Sequence, residues 1–455
     1  MTEVDVVVVG MGPGGEEVAA QLARAGLRVV GVESRLVGGE CPYFACVPTK
    51  MMIRAAHTLA EAGRVGELAG SADVHADWAP VAKRIRDEAT DDWDDTVAVR
   101  RFTDIGGTFV RGTGRITAPR EVTVSTSDGE QVLRARRGVV LNTGTDPAVP
   151  PIEGLAGTPF WTNRDAVRTE EVPRSLIVLG GGPVGCELAQ VFARFGAQVT
   201  VVQGAQRLLP RDEPEAGELL TEVFREAGIA VRAGVTASKI EHAGDEFTVH
   251  LGDSETLSAQ RLLIATGRTV DLAALGVGAY GVDESARTLA VDGRMRAADG
   301  LWAVGDITGE GAFTHMSMYQ ARFAVADILD RHAEPADYRA VPRVTFTDPE
   351  VGSVGLSEAD AKKQGLTVRT GIARIPSSTR GWIHKAGNEG LIKLVEDADA
   401  GVLVGATSVG PTGGEVLGAL AVAVHAKVPT ATLQQMIYAY PTFHRAIESA
   451  LADLG

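Results

Sequence analysis

Residues 4–33 read VDVVVVGMGPGGEEVAAQLARAGLRVVGVE. The stretch 4–9 is apolar and rich in valine, as in a strand buried on both faces. It runs into Gly10-Met11-Gly12-Pro13-Gly14-Gly15. A helical pattern over 16–25 and a second apolar strand over 27–32, ending at Glu33, complete a βαβ unit. In such a unit Gly10 makes the tight turn, Gly12 lets a pyrophosphate approach the backbone, and Gly15 lets helix and strand pack closely. Gly14 lies in the same turn and counts with them as a cofactor-binding position. The helix N-terminus offers amides and a positive dipole end to the phosphate. Glu33 stands where a carboxylate bonds ribose hydroxyls, its competing reading being a solvated strand end.

The pattern recurs. A strand over 175–179 leads into Gly180-Gly181-Gly182-Pro183-Val184-Gly185, a helix to Phe195 and a strand over 198–202. Gly180, Gly182 and Gly185 take the same roles. Two such units imply two nucleotide-binding domains, joined by the proline-rich stretch 145–154. Strands over 247–264 end at Ala265-Thr266-Gly267, and another over 301–304 ends at Gly305-Asp306. Past Tyr338 the pattern changes to mixed strands and helices. The segment 81–101 reads as a charged helix carrying Trp93. The fold class expected is α/β, with two Rossmann-like dinucleotide-binding domains and a C-terminal α+β domain. The expected divisions are 1–148, 149–270, 271–338 and 339–455.

Between the two fingerprints lies Gly38-Gly39-Glu40-Cys41-Pro42-Tyr43-Phe44-Ala45-Cys46-Val47-Pro48-Thr49-Lys50. Cys41 and Cys46 can meet if a helix begins between them. Lys50 follows Cys46 by one helical turn, and a cation there stabilises a thiolate or a reduced flavin. The chain has three cysteines in 455 residues, too few for a structural disulfide framework. A close pair in a chain of this kind is catalytic or metal-binding. His57 is the sole local extra ligand, so no metal site is expected. Cys186 reads as a packing residue.

The remaining composition narrows the classes. Hydrophobic residues make up 45% and charged residues 23% of the chain, and the net charge is −15. That charge argues against a nucleic-acid partner, and no apolar run reaches the length of a membrane span. A cytoplasmic location is expected.

The motifs together closely resemble the pyridine nucleotide–disulfide oxidoreductases, the family of glutathione reductase, dihydrolipoamide dehydrogenase and mercuric reductase. The resemblance runs over the whole chain. It covers both fingerprints, the cysteine segment, Asn142-Thr143-Gly144, Ala265-Thr266-Gly267-Arg268, Ala303-Val304-Gly305-Asp306, Phe346-Thr347-Asp348-Pro349-Glu350 and Tyr440-Pro441-Thr442. It implies that FAD is held by the first fingerprint with Thr143, Gly144 and Asp306, and NAD(P)H by the second with Gly267. It implies that Cys46 faces the flavin as the charge-transfer thiolate and that Cys41 is the interchange thiol. It also implies that Lys50 pairs with Glu187 near the flavin, and that the C-terminal domain makes a homodimer and completes the partner's active site.

Three departures bear on function. Most disulfide reductases of this family carry a histidine before the Pro-Thr pair, oriented by a following glutamate. Here these positions hold Tyr440 and Arg445. Tyrosine, with a reference pKa near ~10, is a poor proton acceptor at neutral pH. His444 is a replacement base or, on the helix expected to follow, an interface residue. Mercuric reductases also lack the histidine but carry a C-terminal cysteine pair, and this chain has none there. At the second fingerprint, Gln203 replaces the acidic residue that favours NAD. Arg207 meets a 2′-phosphate or is a solvated surface residue, a slight lean to NADPH over NADH. Pro183 stands where many relatives carry a tyrosine gate. The expected function is NAD(P)H-dependent reduction, through FAD and the Cys41–Cys46 pair, of a small-molecule disulfide or related sulfur acceptor. The alternatives are reduction of a quinone or metal ion, favoured by Tyr440, and a non-turning-over flavoprotein with a regulatory role.

Overall fold

The computed structural model describes residues 1–252 and 255–454. The chain gathers into two compact units. The first contains Met1–Pro48, Lys83–Pro147 and Arg268–Tyr338; the second contains Thr49–Ala82, Ala148–Gly267 and the chain from Arg339 on.

In the first unit, strand β1 (Thr2–Val9), helix α1 (Pro13–Arg24) and strand β2 (Val29–Glu33) form the opening βαβ unit. β1 lies between β2 and the strand Gly129–Leu141, parallel to both, and Leu301–Ala303 extends the sheet beyond that strand. Alternate residues of β1 reach opposite faces: Val6 and Val8 join one apolar cluster, Val7 and Val9 the other. This is the two-sided burial that a parallel sheet requires. A register irregularity between Val4 and Val6 puts Val4 with the Val7 cluster. α1 begins at Pro13, three residues before the expected start, because proline is preorganised for the first helical turn.

The segment 81–101 departs from its expectation. It is a short helix Ala79–Arg84, one π-turn Ile85–Ala89, a tight turn and a second helix Thr96–Thr103. Asp91, Asp92 and Trp93 all have positive φ, and Thr90 turns its hydroxyl back to the Ile85 and Arg86 carbonyls. Consecutive left-handed residues cannot continue a right-handed helix. Trp93 therefore sits in the turn, its indole N–H donated to the Tyr43 carbonyl at 3.3 Å.

In the second unit, four parallel strands run in the order Ala230–Ala233, Gln198–Gln203, Ser175–Leu179, Arg261–Ile264. Helix Pro183–Arg194 follows the second glycine turn. An antiparallel five-stranded sheet forms the C-terminal part, with Val402–Gly410 at its centre and helix Gly413–His425 against it. The α/β class with two dinucleotide folds and a C-terminal α+β part is the architecture found. Among the described residues no helix is long and apolar enough to cross a membrane.

Candidate active site

β1 delivers the chain to Gly10, whose φ is +90°; a side chain there would run into the Asn142 carbonyl. Gly12 caps α1 in extended backbone and no side chain caps the helix. An uncapped helix start is an anion site in waiting. Glu33 is fixed before any ligand arrives, its two oxygens accepting the N–H groups of Met11 and Arg35 at 2.8 Å each. Among the described residues Thr143 Oγ1 is buried with no hydrogen-bond partner, a costly condition that a bound polar ligand relieves. Gly144 follows at φ +64°. Asp306 accepts from Thr145 Oγ1 at 3.2 Å and faces Arg268 Nε at 3.8 Å. Burial pushes the Asp306 carboxyl upward and Arg268 opposes it. The uncapped helix, the fixed carboxylate and the orphaned hydroxyl fit FAD.

Two glycines of this turn serve packing. A side chain at Gly15 would run into the Gly10 carbonyl, as expected of the helix–strand contact. Gly14, grouped by the sequence with the cofactor positions, abuts Ser317 on helix Thr314–Ile328, and a side chain there would strike its hydroxyl. The size limit at Gly14 is thus set by helix–helix approach. Asn142 is the residue that sequence reading left without a role. Its Oδ1 accepts the Gly15 N–H at 2.7 Å, and its Nδ2 reaches the Val304 carbonyl at 2.8 Å and Ser317 Oγ at 3.1 Å. The one signal for it was its place at a strand end before Thr-Gly.

Cys41 lies on the single turn α2 (Glu40–Tyr43), and Cys46 opens helix α3 (Cys46–Gly63). The break between them is closed by the Phe44 and Ala45 N–H groups, both donated to the Glu40 carbonyl at 2.8 Å. Both cysteines are half-buried. Cys46 Sγ is 3.2 Å from Thr314 Oγ1, a neighbour with no sequence signal. A cavity of about 420 Å³ opens beside α2, with Pro42, Tyr43, Glu16, Val97 and Arg101 among its walls. Glu16 and Arg101 pair there at 2.7 Å. Burial raises the Glu16 pKa against the pull of Arg101.

In the second unit, Gly180 has φ +113° and abuts the Ala265 carbonyl, and Gly185 abuts the Gly180 carbonyl. At Gly182 an added side chain would meet no atom of the described residues within 4 Å, so open space lies over the uncapped start of Pro183–Arg194. Gln203 ends its strand and accepts the Gly181 N–H at 3.3 Å. Gly267 closes the last strand at φ +131°. Arg207 is half-buried and bonded to its own loop. Its Nη2 is donated to the carbonyls of Pro210 and Asp212, at 3.2 and 3.1 Å. Cys186 is fully buried, and burial pushes its thiol upward.

Lys50 Nζ meets Glu187 Oε2 at 2.8 Å. The other oxygen of Glu187 accepts the Phe346 N–H at 2.8 Å, and the Lys50 ammonium lies 4.6 Å from the Phe346 ring centre. Tyr440 is 65% exposed, with the Arg445 guanidinium 5.4 Å from its ring centre. Arg445 pairs with Glu448 at 2.8 Å. His444 precedes helix Ala446–Ala452 instead of riding on it, because the turn through residues 441–445 delays the helix start.

Residues 4–324 match the pyridine nucleotide-disulphide oxidoreductase family, and residues 341–451 match its dimerisation domain. The chain belongs to the pyridine nucleotide–disulphide oxidoreductases. A dihydrolipoyl dehydrogenase of Chlorobaculum tepidum is 32% identical over 99% of this chain and 96% of its own length. A mercuric reductase of Acidithiobacillus ferrooxidans is 33% identical over 98% of this chain and 82% of its own. LpdA from Mycobacterium tuberculosis superposes with a TM-score of 0.86 at 25% identity, each chain covered completely at 100%. As a pyridine nucleotide–disulphide oxidoreductase, the protein is an FAD-dependent enzyme that uses NAD(P)H, and its C-terminal part is a dimerisation domain.

Proposed function

We propose that this oxidoreductase passes two electrons from NAD(P)H, through FAD, to the Cys41–Cys46 pair and from Cys41 to a small-molecule disulfide. The observation that carries this reading is that the helix opened by Cys46 holds, one turn on, a lysine already paired with a buried carboxylate. The helix start favours negative charge at Cys46. Glu187 holds the Lys50 ammonium in one place, so its charge is available without a search through rotamers.

Bound FAD supplies the conversion of a nicotinamide hydride into electrons that a disulfide can take up. The first fingerprint, Glu33, Thr143 and Asp306 hold it, and the second fingerprint, Gln203 and Gly267 hold the nicotinamide cofactor. The Cys41 thiolate attacks one acceptor sulfur, forming a mixed disulfide and releasing one thiolate. Cys46 then attacks the Cys41 sulfur, closing the Cys41–Cys46 disulfide and releasing the second. The leaving thiolates take their protons from water or from a donor other than the usual histidine. The divisions 1–148 and 271–338 for FAD, 149–270 for NAD(P)H and 339–455 for dimerisation follow this assignment. Exposed apolar side chains in the last of these, Trp382, Val422 and Ile437 (98% exposed), support burial against a second copy. The location is cytoplasmic.

The test is an anaerobic acceptor panel run on wild type, Cys41→Ser and Cys46→Ser. NAD(P)H-driven disulfide reduction disappears in both variants, while FAD remains bound. Full disulfide turnover in Cys41→Ser contradicts the assignment. A second reading, reduction of a quinone or metal ion, is favoured by the Tyr440 and Arg445 pair, which supplies neither a base nor a carboxylate to orient one. It wins if the panel shows fast quinone turnover and negligible disulfide turnover.

A further inference from the structure

Two helices of the second unit converge on the backbone of residues 346–348. From α3 and its end come Lys50 and Arg64; from helix Pro183–Arg194 come Glu187, Gln190 and Arg194. Glu187, Gln190 and Arg194 share one helix face by their spacing, and each grips the segment. Glu187 takes the Phe346 N–H at 2.8 Å. Gln190 takes the Asp348 N–H and donates to the Asp348 carbonyl, both at 2.8 Å. Arg194 reaches Asp348 Oδ2 at 2.6 Å, and Arg64 reaches the same oxygen at 2.7 Å. Asp348 is buried; burial works against its charge, but Arg194 and Arg64 hold its carboxyl below the usual range.

The segment joins this ionic clamp to the Lys50 pair. Phe346, two residues from Asp348, fixes one oxygen of Glu187 through its N–H and lies beside the Lys50 ammonium with its ring. Glu187 is 5% exposed, so it has no water to replace a lost partner. The Phe346 N–H, on one oxygen, and Lys50, on the other, set its carboxylate plane. A shift of 346–348 moves the Phe346 N–H and turns Glu187, and with it the place of the Lys50 charge.

We propose that Asp348 is a positioning residue: bracketed by Arg64 and Arg194, it fixes 346–348 and thereby the orientation of the Lys50–Glu187 pair. This rests on the proposed function, in which the held Lys50 charge serves the Cys46 thiolate and the reduced flavin. A clamp that served stability alone would need neither the Phe346 contact to Glu187 nor its ring at the ammonium. Asp348 touches no reacting atom, and its influence passes through Lys50.

The test is a double-mutant cycle on the FAD-loaded dimer. Asp348→Asn keeps the shape and the backbone bonds to Gln190 but removes the charge that both guanidiniums share. Arg64→Gln, on the more exposed arm, removes one bracket with less risk to folding. The readouts are the midpoint potential and visible spectrum of the bound flavin and the rate of its anaerobic reduction by NADPH, at matched FAD content. Asp348→Asn is expected to slow reduction about tenfold and to shift the potential in the same direction as Lys50→Met, because neighbours in one ionic network are coupled. Arg64→Gln gives a smaller change of the same sign. In a Lys50→Met background, neither has a further effect. Additive effects of Asp348→Asn and Lys50→Met overturn the positioning role and leave the Lys50 reading intact. A Lys50→Met protein with unchanged potential and rate overturns both. If Asp348→Asn does not fold, the Arg64→Gln cycle decides by the same criteria.

Discussion

Lys50 and Glu187, 137 positions apart in sequence, meet at 2.8 Å, and the carboxylate of the pair is almost wholly buried. Glu187→Ala strands both the Lys50 ammonium and the Phe346 N–H. Because Lys50 keeps 35% of its side chain exposed, water offsets part of the loss. A destabilisation of about 2 kcal/mol is expected. Glu187→Gln keeps the amide contact and costs about 1 kcal/mol. Denaturant unfolding of the two variants checks the order, and equal losses contradict it.

Cofactor choice is predicted to respond at Gln203 more than at Arg207. Gln203→Glu keeps an acceptor for the Gly181 N–H and adds a carboxylate for ribose hydroxyls. The NADH:NADPH ratio of kcat/KM rises about tenfold, the size of one charged hydrogen bond. The Arg207 guanidinium is engaged with the carbonyls of Pro210 and Asp212. Arg207→Ala loosens that loop and weakens both cofactors by a similar factor. A selective loss of NADPH in Arg207→Ala would show that the guanidinium leaves the loop for the 2′-phosphate.

Tyr440→Phe is expected to lower turnover with the best acceptor by less than about tenfold, against roughly 10²–10⁴-fold where acid–base help is lost. Tyr440→His with Arg445→Glu restores the usual pair of groups and is expected to raise disulfide turnover. A thousandfold-scale loss in Tyr440→Phe at unchanged FAD content, on the order of lost proton donation, makes the phenol the proton donor.

His57 gives stability a pH dependence. Burial, then Arg194, lowers its pKa from 6.5 to about 4, with Arg64 and Arg54 acting in the same sense and Asp348 opposing. A depressed histidine pKa means that the unfolded chain binds more protons than the folded one between the two values. Its contribution is therefore fully present above about 6.5 and falls away as pH drops towards about 4. His57→Gln is expected to flatten the unfolding midpoint across that window. An unchanged slope shows that the imidazole is charged in the folded protein.

The fold was legible where it is local. β1 and the two glycine turns follow from valine runs and helix-start chemistry, and the glycine spacing pointed to a tight turn at Gly10 and close packing at Gly15. The segment 81–101 misled because its charge pattern suits a helix, while the left-handed turn at Asp91, Asp92 and Trp93 has no glycine to announce it. Within the candidate site, motif chemistry pointed to the glycine turns, Glu33, the two cysteines and Lys50, while Thr143, Glu187 and Asp306 came only through the family resemblance. Contacts such as Glu187 to Phe346 and Cys46 to Thr314 span 159 and 268 positions, and no periodicity encodes them. The Ser317 contact that limits Gly14 comes from far along the chain and has no signal in the glycine turn.

Whether electrons from NAD(P)H reach Cys41 and Cys46 is answered by counting thiols. The FAD-loaded protein is treated anaerobically with one equivalent of NADPH per subunit, alkylated, and mapped by peptide mass. Cys41 and Cys46 are expected to become alkylated only after NADPH is added, Cys41 first, with Cys186 untouched because it is buried. Alkylation at Cys41 and Cys46 that is the same with and without NADPH, while NADPH is consumed, would show that the electrons bypass the cysteine pair.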